Sequence, residues 1–138
     1  MKYTKELKEL SKKDVNIAGG KGASLGEMFN QGIPVPDGFV VTSDTFDYFL
    51  EKVSLDKKIN EIISKIDKKE DLIIQKASED IQSLIFNTEI PKEIGEEILN
   101  NFKNKDMEYV AVRSSATAED GAENAWAGQL DSFLNTKE

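Results

Sequence analysis

Two basic side chains in this sequence are placed where they could bind an anion. Lys21 lies within the glycine-rich run 19–22, and Arg113 follows a short apolar stretch. A lysine ammonium is a flexible point charge, whereas a guanidinium is a planar fork that can grip two oxygens at once. Cations of these two kinds suit a polyphosphate, whose oxygens change charge during phosphoryl transfer. The pair could therefore bind phosphate if the fold brings the two segments together.

Each basic residue also has an ordinary structural interpretation. Glycines beside Lys21 permit a sharp turn, and amides at the start of the following helix would favour an anion. The run is not a Walker A motif, because Gly22 stands where that pattern requires Ser or Thr, so a helix entry with a solvated lysine fits equally well. Arg113 could instead form a salt bridge with Glu119 or Asp120. At this level both alternatives stay open.

The chain contains neither cysteine nor histidine, and this narrows its chemistry. Disulfides, thiolate nucleophiles, zinc sites built on these residues and Ser-His-Asp triads are excluded within it. Ser114 and Ser115 are therefore interpreted as capping or phosphate-contacting hydroxyls. A metal would have to be a hard cation such as magnesium. Loop carboxylates that could bind one, or could simply be solvated, are Glu119, Asp120, Glu123 and Asp131.

Composition predicts one soluble domain over residues 1–138. Hydrophobic residues make up 38% and charged residues 32%, and the net charge is −8, which disfavours nucleic acid and anionic membranes as partners. No apolar run reaches the roughly 18 to 20 residues that cross a bilayer, and no signal core is visible at the start. The expected location is cytoplasmic.

Hydrophobic periodicity predicts helices separated by short strands. The predicted helices are 23–29 directly after the glycines, Asp44–Lys52 with Ser43 as N-cap, Leu55–Ile66, Lys69–Phe86, and a last helix that has Pro91 in its first turn and ends near Asn104. The predicted strands are Phe39–Thr42, a largely buried Tyr109–Ser114, and Gln129–Leu134. We expect the isoleucines of the middle helices to form core.

Two pairs of motifs resemble a known family. They read GGKGASLGEM followed by GIPVPDGFVVT, and VAVRSSATAEDG followed by AWAGQLDSFLN. In this order, with a helical region between them, they resemble the opening domain of phosphoenolpyruvate synthase (pyruvate, water dikinase). Pyruvate phosphate dikinase and rifampin phosphotransferase share that domain. The resemblance covers nearly the whole chain, although residues 51–105 contribute only helical character.

The resemblance assigns roles to four positions. It implies that Lys21 contacts phosphate, that Arg113 both binds ATP and acts in catalysis, and that Gly128 and Ser132 belong to a later nucleotide-binding loop. The family usually has Thr where this chain has Ser132, so a hydroxyl is kept. It commonly has a Ser-Phe pair where this chain has Ala125-Trp126.

The resemblance also implies a fold and a reaction. The expected class is α+β, a small, mainly antiparallel sheet with several helices, forming the first lobe of an ATP-grasp-type domain. The parent enzyme would convert ATP, pyruvate and water into AMP, phosphoenolpyruvate and phosphate. Its second ATP-grasp lobe, phosphohistidine domain, pyruvate-binding domain and magnesium ligands are expected outside this chain, which should be inactive alone. The alternatives are a piece of a rifampin phosphotransferase-like or pyruvate phosphate dikinase-like enzyme, or a non-catalytic binding module.

Overall fold

Short strands near both ends of the chain flank a run of four consecutive α-helices within the described ranges. The structure, a computed structural model, describes residues 1–66, 70–118 and 130–137. The chain divides into two units, Met1–Thr45 with Glu93–Glu138, and Phe46–Lys92. The single domain over 1–138 stays a prediction.

The first unit begins with a pair of short strands packed on a helix. Strand β1 (Thr4–Glu6) pairs antiparallel with β2 (Phe39–Val41), and a 3₁₀ turn and helix α1 (Val15–Asn30) lie between them in sequence. The core of this unit is Leu7, Leu10 and Ala18, with Leu25, Phe29 and Val40 packed against it. A Cβ placed on Gly26 would lie 2.8 Å from the Leu10 carbonyl oxygen, so α1 sits directly against the segment that precedes it.

A carboxylate on a later helix holds the first strand. Helix α2 (Ser43–Lys52), α3 (Leu55–Ser64) and α4 (Asp71–Phe86) precede helix α5 (Lys92–Asn104), which carries Glu97. The backbone N–H groups of Tyr3 and Thr4 and the Thr4 hydroxyl donate to Glu97 Oε1 at 2.9, 2.8 and 2.6 Å. Asn101 Nδ2 donates to the same hydroxyl at 2.7 Å. Thr4 is 1% exposed, so these bonds satisfy polar groups that water cannot reach.

A second strand pair lies near the end of the chain. Strand β3 (Val110–Arg113) pairs antiparallel with β4 (Ser132–Thr136), with a register shift between Val110 and Val112. The prediction that Tyr109–Ser114 is a largely buried strand is wrong. Val112 is 48% exposed, and its partner in β4, Phe133, is 60% exposed. A two-stranded ribbon buries a face only where another layer covers it.

The second unit consists of the rest of α2 together with α3 and α4, which pack against each other. Leu55, Phe49 and Ala77 are buried there. The prediction that the isoleucines form core is wrong for three of them: Ile63, Ile73 and Ile74 are exposed. So small a unit has too little volume to enclose every apolar side chain on two helices. An open groove of about 430 Å³ between α3 and α4 is lined partly by aliphatic side chains and holds none of the predicted site residues.

The predicted fold class is confirmed. Within the described ranges, five helices and two antiparallel strand pairs form an α+β arrangement, although the strands make two separate pairs and not one sheet. Helix bounds agree with the periodicity to within a few residues, except that α1 begins at Val15, before the glycines. None of the helices that the structure describes is long and apolar enough to span a membrane.

Candidate functional site

The glycine-rich run produces a break inside α1. Gly19 has φ 72° and ψ 173°, while the residues on either side are helical. A side chain makes this combination of angles costly, so glycine is required. Gly19, Gly20 and Gly22 are all buried. The run is therefore a kink within a helix whose first turn lies upstream, not a loop that leads into a new one.

The side chain of Ser115, which lies 97 residues after Ala18 in the sequence, occupies this kink. In an unbroken helix the Gly22 N–H would donate to the carbonyl of Ala18, four residues earlier. Here the Gly22 N–H donates to Ser115 Oγ at 3.2 Å, and Ser115 Oγ donates to the Ala18 carbonyl at 2.8 Å. The Ser115 hydroxyl is thus inserted between the two partners of one helical hydrogen bond, which is a recognised cause of helix kinks.

The backbone of the same loop makes a third hydrogen bond to the kink. The Gly20 N–H donates to the carbonyl of Ala116 at 3.0 Å. A Cβ on Gly19 would lie 2.7 and 2.8 Å from the carbonyl carbon and oxygen of Ser115, closer than real Cβ contacts come. The loop after β3 therefore fits against α1 only because glycine occupies position 19. We call this three-bond junction the α1–β3 clasp.

The amides of Gly20 and Gly22, which precede the predicted helix 23–29, are both used by the clasp. Each donates to an oxygen of the protein in this structure. The prediction that amides at the start of that helix favour an anion concerns later residues and stays a prediction. The capping interpretation of Ser115 agrees with its contacts.

Lys21 and Arg113 lie in the two segments that the clasp joins. Lys21 lies between Gly20 and Gly22, both of which are bonded to the loop, and Arg113 lies two residues before Ser115. Lys21 is partly buried, whereas Arg113 is exposed at the end of β3. The structure thus joins the two predicted cationic segments, which are remote in sequence, through direct hydrogen bonds.

Ser132 lies beside Arg113 in the strand pair. The two are direct partners in the antiparallel register of β3 and β4, and the Ser114 N–H donates to the Asp131 carbonyl at 2.9 Å next to them. Directly opposed residues of an antiparallel pair place their side chains on one face, with Cβ atoms about 5 Å apart. A hydroxyl and a guanidinium are therefore presented together.

Several predicted residues fall outside the ranges that the structure describes. These are Gly128, the loop carboxylates Glu119, Asp120 and Glu123, and the Ala125-Trp126 pair. Arg113 forms no ion pair with any described residue, and it is the only arginine of the sequence. In residues 1–66, 70–118 and 130–137, no three acidic side chains form a group that could hold a metal ion.

Carboxylates elsewhere in this unit hold the start of α1 and the segment that precedes β2. Asp14, at the start of α1, accepts from the Ser11 N–H and hydroxyl at 2.8 and 2.9 Å, and these bonds hold the pKa of Asp14 below its ordinary value. The Lys105 ammonium, 2.7 Å from Asp37, likewise lowers the pKa of that carboxyl. Both carboxylates stay charged when folded, and their role is structural.

Comparison with known proteins identifies what the chain is similar to. Residues 15–138 match the family described as pyruvate phosphate dikinase, AMP/ATP-binding domain. A probable phosphoenolpyruvate synthase of Methanocaldococcus jannaschii is 47% identical over 99% of this chain and 12% of that protein. The phosphoenolpyruvate synthase of Helicobacter pylori is 43% identical over 99% of the chain and 18% of that protein. The resemblance inferred from the motifs is confirmed, and the chain spans between an eighth and a fifth of these relatives' length.

Proposed function

The chain belongs to the AMP/ATP-binding domain family of pyruvate phosphate dikinase, and from this membership we propose that Lys21 and Arg113 together bind the phosphate groups of ATP. The observation that carries the proposal is the α1–β3 clasp, whose three hydrogen bonds join the segments that bear the two cations. An anion bound by both cations would offset the repulsion between them.

The two cations would act differently on a triphosphate. Lys21 is partly buried and follows the kink, so it offers a single charge from a fixed segment of backbone. Arg113 is exposed at a strand end and has a planar fork that can bind two oxygens of one phosphate. We assign Arg113 the catalytic role of stabilising charge on the phosphoryl group during its transfer.

Two further residues complete the proposed phosphate site. The Ser132 hydroxyl stands across from Arg113 in the strand register and can donate to a phosphate oxygen that the guanidinium also binds. Gly128 is assigned to the same loop by family resemblance, and it lies outside the described residues. Magnesium would neutralise phosphate charge when bound. The family resemblance implies that its ligands lie outside this chain, and we derive no step through it.

The proposed reaction of the whole protein follows from its relatives. Proteins named phosphoenolpyruvate synthase are 36 to 47% identical to this chain, and it covers 12 to 21% of their length. We propose that the enzyme containing this domain converts ATP, pyruvate and water into AMP, phosphoenolpyruvate and phosphate in the cytoplasm. A second ATP-grasp lobe, a phosphohistidine domain and a pyruvate-binding domain are its proposed partners. Without them the domain binds ATP weakly and does not turn over.

The proposal is tested by titrating ATP into the chain and following backbone amide resonances. We expect a Kd between about 10 μM and 10 mM, and a loss of affinity of at least about tenfold, near 1.4 kcal/mol, in Lys21→Ala or Arg113→Ala. Lys65→Ala is the matched control, because it removes one positive charge from an exposed side chain of the second unit. Equal weakening by all three variants, or no perturbation around residues 19–22 at the highest ATP concentration, would contradict the proposal.

A further inference from the structure

The Ser115 hydroxyl has a position that the general function of an ATP domain does not account for. It both accepts from Gly22 and donates to Ala18, so it takes the place of the helical bond between those residues. A serine that only satisfied a loose helix end would need one of these bonds. Making both means that the hydroxyl sets the separation of two turns of α1.

The residue most affected by that separation is Lys21. It lies inside the Ala18–Gly22 interval, two residues after Gly19 and between two glycines whose amides are both bonded to the 115–116 loop. The direction of its side chain depends on the backbone angles of this one turn. If the hydroxyl were absent, the Gly22 N–H and the Ala18 carbonyl would both lose their partner, and the spacing of this turn would no longer be fixed.

We infer that Ser115 is a positioning residue that holds the Lys21 turn of α1 in its kinked form and in register with Arg113. This inference rests on the proposed function, because the reason to hold the turn is the phosphate that Lys21 binds. Ser115 itself acts through the backbone. One hydroxyl therefore couples the position of the lysine to the strand end that bears the arginine, two residues before it in sequence.

The first arm of the test needs no ligand. In Ser115→Ala we expect the Gly22 amide to exchange with solvent at least about tenfold faster than in the wild type, since the hydroxyl that accepts from it is lost. The matched control is Ser64→Ala, because Ser64 Oγ also donates to a helix carbonyl, that of Glu61 at 2.7 Å, but in α3 of the second unit. Unchanged glycine exchange in Ser115→Ala would overturn the clasp as a restraint.

The second arm measures ATP affinity in a double-mutant cycle. We expect Ser115→Ala to weaken ATP binding by about five- to twentyfold in the wild-type background, and by less than about twofold in Lys21→Ala, because the hydroxyl acts through that lysine. Ser64→Ala should leave the affinity unchanged. If Ser115→Ala does not fold, Ser115→Cys keeps nearly the same volume with a weaker donor and should show the same pattern at smaller size.

The outcomes separate this inference from the proposed function. A wild-type chain that shows no ATP binding overturns the proposed function. A wild type that binds ATP through Lys21, with Ser115→Ala binding equally well, overturns the positioning role alone. Equal losses from Ser115→Ala with and without Lys21 would also overturn it, because they would show that the serine acts independently of the lysine.

Discussion

Replacing Gly19 with alanine tests whether the close fit of the clasp stabilises the first unit. Gly19 has φ 72° and ψ 173°, a region almost restricted to glycine, and forcing alanine into it costs about 1 to 3 kcal/mol. The new Cβ would also lie 2.7 Å from the Ser115 carbonyl carbon, so the loop must move away. Losing two of the three clasp bonds adds roughly 2 kcal/mol at about 1 kcal/mol each. We expect a total destabilisation of about 3 to 5 kcal/mol.

Gly32 supplies the control for this substitution. It also has a positive φ, 76°, but a Cβ there meets nothing within 4 Å. Gly32→Ala should therefore show the backbone strain alone, about 1 to 2 kcal/mol. The assay is urea unfolding followed by circular dichroism, with both variants compared with the wild type. If Gly19→Ala is no more destabilising than Gly32→Ala, the close approach of the loop does not contribute to stability and the reasoning is refuted.

Two further predictions concern carboxylates that anchor this unit. Glu97→Ala should lower the free energy of unfolding by about 2 to 4 kcal/mol, because it leaves the N–H groups of Tyr3 and Thr4 without their acceptor. Urea unfolding measures this change, and a loss under about 0.5 kcal/mol would contradict the prediction. The lowered pKa of Asp14 means that its contribution to stability is present above the unfolded value of 3.8 and is lost as the pH falls through the lower folded pKa. Unfolding midpoints measured between about pH 6 and pH 2 should therefore drop less in Asp14→Asn than in the wild type.

The sequence was sufficient for the elements whose pattern is local. Apolar spacing predicted α3 from Leu55 and α4 to Phe86, and Pro91 predicted the start of α5, because each signal lies within the helix itself. Strand β1 was missed, since Thr4–Glu6 carries a polar sequence and is held by β2 and by Glu97. Its partners are distant in the chain, so no local pattern marks it.

The sequence predicted which residues form the candidate site, but not the contacts that hold them in place. Lys21 and Arg113 could be named from residue type and family motif, and the strand register places Ser132 beside Arg113. The insertion of Ser115 into α1 could not be predicted, because it depends on a contact across 97 residues. The available signal was a pair of glycines in one motif and a pair of serines in another. It becomes interpretable only when the structure shows that the two segments are in contact.

The most direct test of the central claim uses the single arginine of the chain. Because Arg113 is the only one, its side-chain Nε–Hε resonance needs no assignment, and it can be followed together with the Gly20 and Gly22 amides while ATP is added. One polyphosphate held by both segments predicts that all three signals shift along one binding curve with a common Kd. An arginine signal that stays in place, or that moves at a different ATP concentration from the glycines, would show that Lys21 and Arg113 do not share a ligand.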